Sequence, residues 1–224
     1  MSDQLSESLH DHQPVYAAGV TPDGAPGAMI LVHGRGATAQ DILSVVPEIG
    51  AEALACLAPQ AAGQTWYPFS FLRSLSDNQP SLDSALRTLD RLLHQMEDVG
   101  IPAARTIFLG FSQGACLASE FVVRNARRYG GLIAFSGGLI GPDGTPRDYQ
   151  GILAGTPVFV GCSNIDPHIP EARVLETAEV LQRLGANVDL RIYPGMDHTI
   201  NQDELLAARA IVEQLIAESR APQR

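Results

Sequence analysis

The sequence predicts an α/β fold: a mostly parallel central sheet with helices on both of its faces. Three observations carry that expectation. Short apolar runs alternate with longer helical patterns, the signature of repeated βαβ units. Most of the runs are continuous rather than alternating, as in strands covered on both faces. The 224 residues are 45% hydrophobic, enough for a substantial core, and the length suits one α/β domain better than two.

Strands are expected at Ala28–Val32, Ala53–Ala58, Thr106–Leu109, Gly131–Phe135, Pro157–Gly161 and Val188–Tyr193, with an earlier one near Val15–Ala18. The clearest helix is Ser81–Asp98. Leu82, Ala85, Leu86, Leu89, Leu92, Leu93 and Met96 recur there at spacings of three and four, which makes one apolar stripe. Ser81 is expected to cap it, Asp83 suits the helix dipole, and Gly100 and Pro102 follow its end. Further helices are expected at Ala39–Ile49, Gln113–Tyr129, Glu171–Leu184 and Asp203–Glu218. Residues 1–13 are polar and read as a flexible arm, leaving 14–224 as the domain. The stretches 60–80 and 141–155 read as long connections, which in compact domains are often functional.

Charge and composition exclude several classes. A net charge of −10 repels nucleic-acid phosphates and anionic membrane surfaces. No run approaches the roughly 20 apolar residues of a membrane span. The first fourteen residues lack the basic start and apolar run of a secretory signal. Cys56, Cys116 and Cys162 are scattered and odd in number, so neither a disulfide framework nor a metal cluster is expected. These features point to a cytoplasmic protein with reduced thiols. No metal or other cofactor is expected, since His10 and His12 lie in the arm and no cluster has ligand spacing.

The strongest local signal is Gly110-Phe111-Ser112-Gln113-Gly114. An apolar strand runs into it and a helix leaves it, the context a G-x-S-x-G nucleophile elbow requires. Glycines alone would also serve close helix–strand packing; the strand–turn–helix setting favours Ser112 as a nucleophile. Such a serine needs a base, and the base an orienting carboxylate. In the α/β-hydrolase fold these follow in the order serine, acid, histidine. His198 follows the last strand, and Asp166 follows the strand ending at Gly161, both at carboxyl ends where catalytic groups gather. Asp197 and Asp189 compete for the acid role. Asp197 adjoins His198 in sequence, and Asp189 lies inside a strand. The oxyanion needs N–H donors. Gln113 can supply one, and Arg35, between Gly34 and Gly36 after the Ala28–Val32 strand, the other. His33 reads as structural.

His33-Gly34-Arg35-Gly36 together with Gly110-Phe111-Ser112-Gln113-Gly114 resembles the phospholipase/carboxylesterase family that includes acyl-protein thioesterases. The resemblance runs from about Ala28 to the last helix, and Asp166 and His198 fall where that family has its remaining triad members. It implies an α/β-hydrolase that acts through an acyl-enzyme. The segment before Trp66 is shorter than in the eukaryotic thioesterases, and Asp166-Pro167-His168-Ile169-Pro170 looks like the bacterial carboxylesterases of the group. Both favour a small carboxylic ester as substrate. Thioesters, lysophospholipids or a cyclic ester remain alternatives, as does a non-catalytic binding protein on the same scaffold.

Trp66, Tyr67 and Phe69, with Phe71, could wall an acyl pocket or anchor their loop to the core. The same aromatics could serve a homodimer contact. His168 could face the substrate or stay at the surface. Phe111 reads as packing, and Cys116 as a small buried residue.

Overall fold

The structure, a computed structural model, describes residues 9–220. Seven strands form one sheet: β1 (Val15–Gly19), β2 (Ala28–Val32), β3 (Ala55–Pro59), β4 (Thr106–Phe111), β5 (Gly131–Phe135), β6 (Pro157–Ser163) and β7 (Asn187–Tyr193). Their order is β1-β3-β2-β4-β5-β6-β7. Only β1 is antiparallel to its neighbour, with Val15 opposite Pro59. The six parallel strands therefore present their carboxyl ends along one edge.

Among the described residues six α-helices flank the sheet: α1 (Ala39–Leu43), α2 (Val45–Glu48), α3 (Ser81–Asp98), α4 (Gln113–Arg124), α5 (Glu171–Arg183) and α6 (Gln202–Arg220). Alternation along β2 shows how both faces are covered. Ile30 and Val32 face the layer that holds Leu89 of α3 and Phe121 of α4, in one apolar cluster with them. Met29 and Leu31 point the other way, to Ile42, Val46 and Val212. Successive side chains of a strand face opposite sides, so an all-apolar strand needs a helical layer on each.

Several elements depart from expectation. The helix expected over Ala39–Ile49 is broken at Ser44, whose hydroxyl donates to the Asp41 carbonyl at 2.7 Å. Pro47 just beyond it has no N–H to continue the ladder. The helix from Gln113 stops at Arg124 rather than Tyr129: Asn125 leaves helical geometry, and Ala126 bridges to Gly151 instead. The Ser81–Asp98 helix has its expected bounds, but its cap position is Pro80, which makes no side-chain bond. The carboxamide of Gln79 does that work. It accepts from the Asp83 N–H at 3.2 Å and donates to the Asp83 carboxylate at 2.8 Å.

Residues 1–8 of the expected arm lie outside the described residues. Residues 9–13 correct the expectation, because His10 is buried. Its N–H donates to the Ser84 hydroxyl at 3.0 Å, and its ring lies 3.0 Å from the Trp66 carbonyl and accepts from the Ala62 N–H at 3.1 Å. The acceptor role of Nδ1 puts the proton on Nε2, which donates to Trp66.

Candidate active site

The carboxyl edge of the sheet gathers the residues singled out above. At the end of β4 the chain turns into α4 through Ser112, which takes φ 55°, ψ −121°. A non-glycine residue in this region costs about 1–3 kcal/mol and persists only where its surroundings hold it. Two contacts hold it: the Ser112 N–H donates to the Phe135 carbonyl at 2.9 Å, and the Cys116 N–H to the Ser112 carbonyl at 3.0 Å. The flanking glycines are obligatory. A Cβ on Gly110 would collide with the backbone of Gly114, and one on Gly114 with the carbonyl oxygens of Val32 and His33.

His198, from the loop between β7 and α6, puts Nε2 2.9 Å from Ser112 Oγ. Its Nδ1 lies 2.6 Å from Asp166 Oδ2. The other carboxylate oxygen of Asp166 accepts the N–H groups of His168 at 2.8 Å and Ile169 at 3.0 Å. Burial pushes the Asp166 carboxyl up, but the hydrogen bonds from His198, His168 and Ile169 outweigh it and hold the pKa below the usual carboxylate value. The side chain of Asp166 is fully buried. Neither rival acid meets the histidine ring. Asp189 pairs with Arg191 at 2.6 Å, and the Asp197 carbonyl accepts the Thr199 N–H. The His198 ring lies between Phe111, with centroids 4.9 Å apart, and His168, with centroids 5.0 Å apart and an edge-on approach.

The turn after β2 lies beside this group. His33 is buried; its Nε2 accepts the Ala61 N–H at 3.0 Å, so its Nδ1 carries the proton and donates to the Gly34 carbonyl at 2.7 Å. Burial, the largest influence, lowers its pKa, and the neutral ring acts as a staple. Gly36 takes φ +77°, a left-handed conformation natural to glycine, and donates its N–H to the Gln64 carbonyl at 2.8 Å. Among the described residues, neither the Arg35 nor the Gln113 N–H meets a backbone acceptor outside regular helix and strand bonding. Both residues line the cleft with Ser112.

That cleft has a volume of about 570 Å³ and is bordered by Tyr67, Pro68, Phe69, Phe71, Phe111 and Ile169. Tyr67 and Phe69, which the sequence leaves open between pocket wall and loop anchor, border the cleft, with Tyr67 buried and Phe69 53% exposed at the rim. His168 also borders the cleft. Trp66 corrects the expectation. It is fully buried and does not border the cleft; its indole N–H donates to the His33 carbonyl at 2.9 Å, and its ring packs against His10 and His33. An indole whose N–H has a partner in the core is an anchor. The sequence reading misses Phe111 and Cys116 as cleft residues. Their spacing, one before and four after Ser112, carries the signal, since it puts both beside that serine. Among the described residues, no group of three or more His, Cys, Asp or Glu side chains is arranged to hold a metal ion, and no helix is long and apolar enough to cross a membrane.

A family model described as phospholipase/carboxylesterase matches residues 20–216. The chain belongs to that family. Its sheet order, elbow and flanking helices are those of the α/β-hydrolase fold shared with it. A phospholipase/carboxylesterase from Dyadobacter fermentans DSM 18053 is 43% identical to this chain. The two superpose with a TM-score of 0.87 over 90% of this family member and 96% of that one. Esterase PE8 is 25% identical with a TM-score of 0.73, covering 91% and 98% of the two chains. Acyl-protein thioesterase 1 of Debaryomyces hansenii is 31% identical over 131 residues, which are 58% of this chain and 56% of that protein. The match thus spans little more than half of the thioesterase.

Proposed function

We propose that this protein is a carboxylesterase-type serine hydrolase that cleaves small, uncharged carboxylic esters through an acyl-enzyme. The observation that carries the reading is the pair of hydrogen bonds Ser112–His198–Asp166, at 2.9 and 2.6 Å. Ser112 Oγ attacks the ester carbonyl as its proton passes to His198 Nε2. Asp166 orients the ring and stabilises the imidazolium that forms. The Arg35 and Gln113 N–H groups receive the oxyanion. When the tetrahedral intermediate collapses, the C–O bond to the alcohol breaks and the alcohol leaves with the proton from His198. Water, deprotonated by the same ring, then releases the acid and restores Ser112.

The cleft supports the substrate class. Its volume lies in the range of small-molecule sites. Its walls are largely apolar, and the one lining guanidinium, that of Arg35, is engaged by main-chain carbonyls. An anionic acyl group would have to draw Arg35 away from those carbonyls and a cationic one would meet its like charge, whereas a short neutral one would bury its carbons against Phe69, Phe71 and Ile169. A cytoplasmic enzyme with one catalytic domain over 14–224 fits this reading. Thioester cleavage is the second reading, favoured by the Debaryomyces hansenii relative; only the leaving group differs. A fluorophosphonate probe and p-nitrophenyl esters of short and long acids test both. Wild type should be labelled and turn over short esters, and Ser112→Ala should do neither. Labelling that persists in the variant overturns the assignment, and an unlabelled wild type would point to a binding protein.

A further inference from the structure

Arg35 and Gln113, which line the cleft beside Ser112 and are the oxyanion donors of the proposed reaction, are also bonded through their side chains to the Tyr67–Phe69 wall of the cleft. The Arg35 guanidinium donates to three consecutive carbonyls: Tyr67 at 2.8 Å, Pro68 at 3.0 Å and Phe69 at 2.7 Å. The Gln113 carboxamide donates to the same Tyr67 carbonyl at 2.9 Å. It also accepts the Trp66 N–H at 3.0 Å and the Thr65 hydroxyl at 3.3 Å. Links run the other way as well. The Trp66 indole donates to the His33 carbonyl and the Ala61 N–H to the His33 ring. Residues 65–74 form no helix or strand, so their carbonyls have no ladder to satisfy them. A planar fork of N–H donors meets that need where a point charge on a flexible stem does not.

We propose that the Arg35 guanidinium is a positioning residue that fixes the oxyanion turn and the Tyr67–Phe69 wall as one rigid unit. The proposal rests on the esterase reading for its catalytic half. If the turn and the wall share their anchor, loosening it disturbs two properties together: where the oxyanion donor sits and how the acyl chain is held. A residue that merely stabilised the loop would affect only the second. Geometry is steep at such sites, since removal of one donor costs about 10²–10³-fold in kcat and a misplacement of about 1 Å can cost about 10²-fold.

Arg35 lies on the surface, so Arg35→Met should fold, and Arg35→Lys retains a donor if it does not. Three readouts separate the outcomes. On p-nitrophenyl acetate, whose acyl group is too short to use the wall, Arg35→Met should lower kcat about tenfold or more. It should weaken an alkyl boronic acid, a mimic of the tetrahedral state, by a similar factor, and Arg35→Lys should recover part of both. On p-nitrophenyl octanoate KM should rise as well. The chain's single tryptophan, Trp66, should become more accessible to acrylamide quenching. A rise in KM for the octanoate alone, with kcat on acetate and boronate affinity unchanged, overturns the proposal. If wild type takes no fluorophosphonate, the esterase reading fails by itself; unchanged Trp66 quenching in Arg35→Met then also overturns the shared anchor.

Discussion

Glu204 should make the protein progressively less stable as pH rises through neutrality, and Glu204→Gln should abolish that loss. The residue lies in the first turn of α6, fully buried. One carboxylate oxygen accepts the Asn201 N–H at 2.9 Å, and the Glu204 N–H donates to the Asn201 side chain at 3.0 Å. The other oxygen, Oε1, has no hydrogen-bond partner and lies so close to Gly161 that a Cβ there would overlap it. Burial, the largest cause, pushes the pKa from the ordinary 4.5 up to about 7; the Asn201 N–H opposes this and Asp203 adds to it. The sign follows from proton binding. Between 4.5 and 7 the folded protein holds a proton that the unfolded chain has released, so folding is favoured less as pH rises. At about 1.4 kcal/mol per pH unit, the interval amounts to about 3 kcal/mol, fully lost by about pH 8. A glutamine has a fixed cost for its own amide but no titration. Urea unfolding of both proteins at pH 5 and pH 8.5 gives four stabilities. The variant should gain about 2.5 kcal/mol relative to wild type between the two pH values, because pH 5 already lies above the unfolded value, or roughly 5–10 °C in melting temperature. A wild-type-to-variant difference that stays constant across that range refutes the reasoning.

Two further outcomes follow from the site. Asp166→Asn should keep the fold yet lower kcat by ~10⁴-fold, because an amide orients the wrong tautomer of His198; turnover within tenfold of wild type would show that another group orients the ring. The depressed Asp166 pKa also stabilises the fold above the ordinary carboxylate value of 3.8 and is lost as pH falls through the lower folded value. Wild type should therefore lose more stability than the variant on acidification below about pH 4. The thiols Cys56, Cys116 and Cys162 are buried, each with its pKa pushed up to about 12, chiefly by burial. Ellman's reagent at pH 8 should find no fast thiol in the native protein and three in guanidinium, and one rapid native thiol would contradict that packing.

The sequence announces those parts of the site where chemistry demands one residue type at one spacing. Gly110 and Gly114 are fixed by backbone clash, and a parallel sheet forces Asp166 and His198 onto the edge that carries Ser112. Long-range pairing leaves no such mark. Nothing in a polar amino-terminal stretch says that His10 will reach Ser84 and Trp66, 74 and 56 residues away. Trp66 reads equally as pocket or anchor until its indole finds the His33 carbonyl. The early end of α4 has neither Gly nor Pro to signal it, and depends on Ala126 meeting Gly151. The same division separates reaction from specificity. The proposed acyl transfer rests on short segments, residues 33–36 and 110–114, that can be read one at a time. The width of the cleft depends on where Tyr67 and Phe69 come to rest, and the side chains of Arg35 and Gln113 hold the carbonyls there. The motifs speak only for the backbone of those two residues, and nothing in them announces that the Arg35 and Gln113 side chains reach across to residues 67–69.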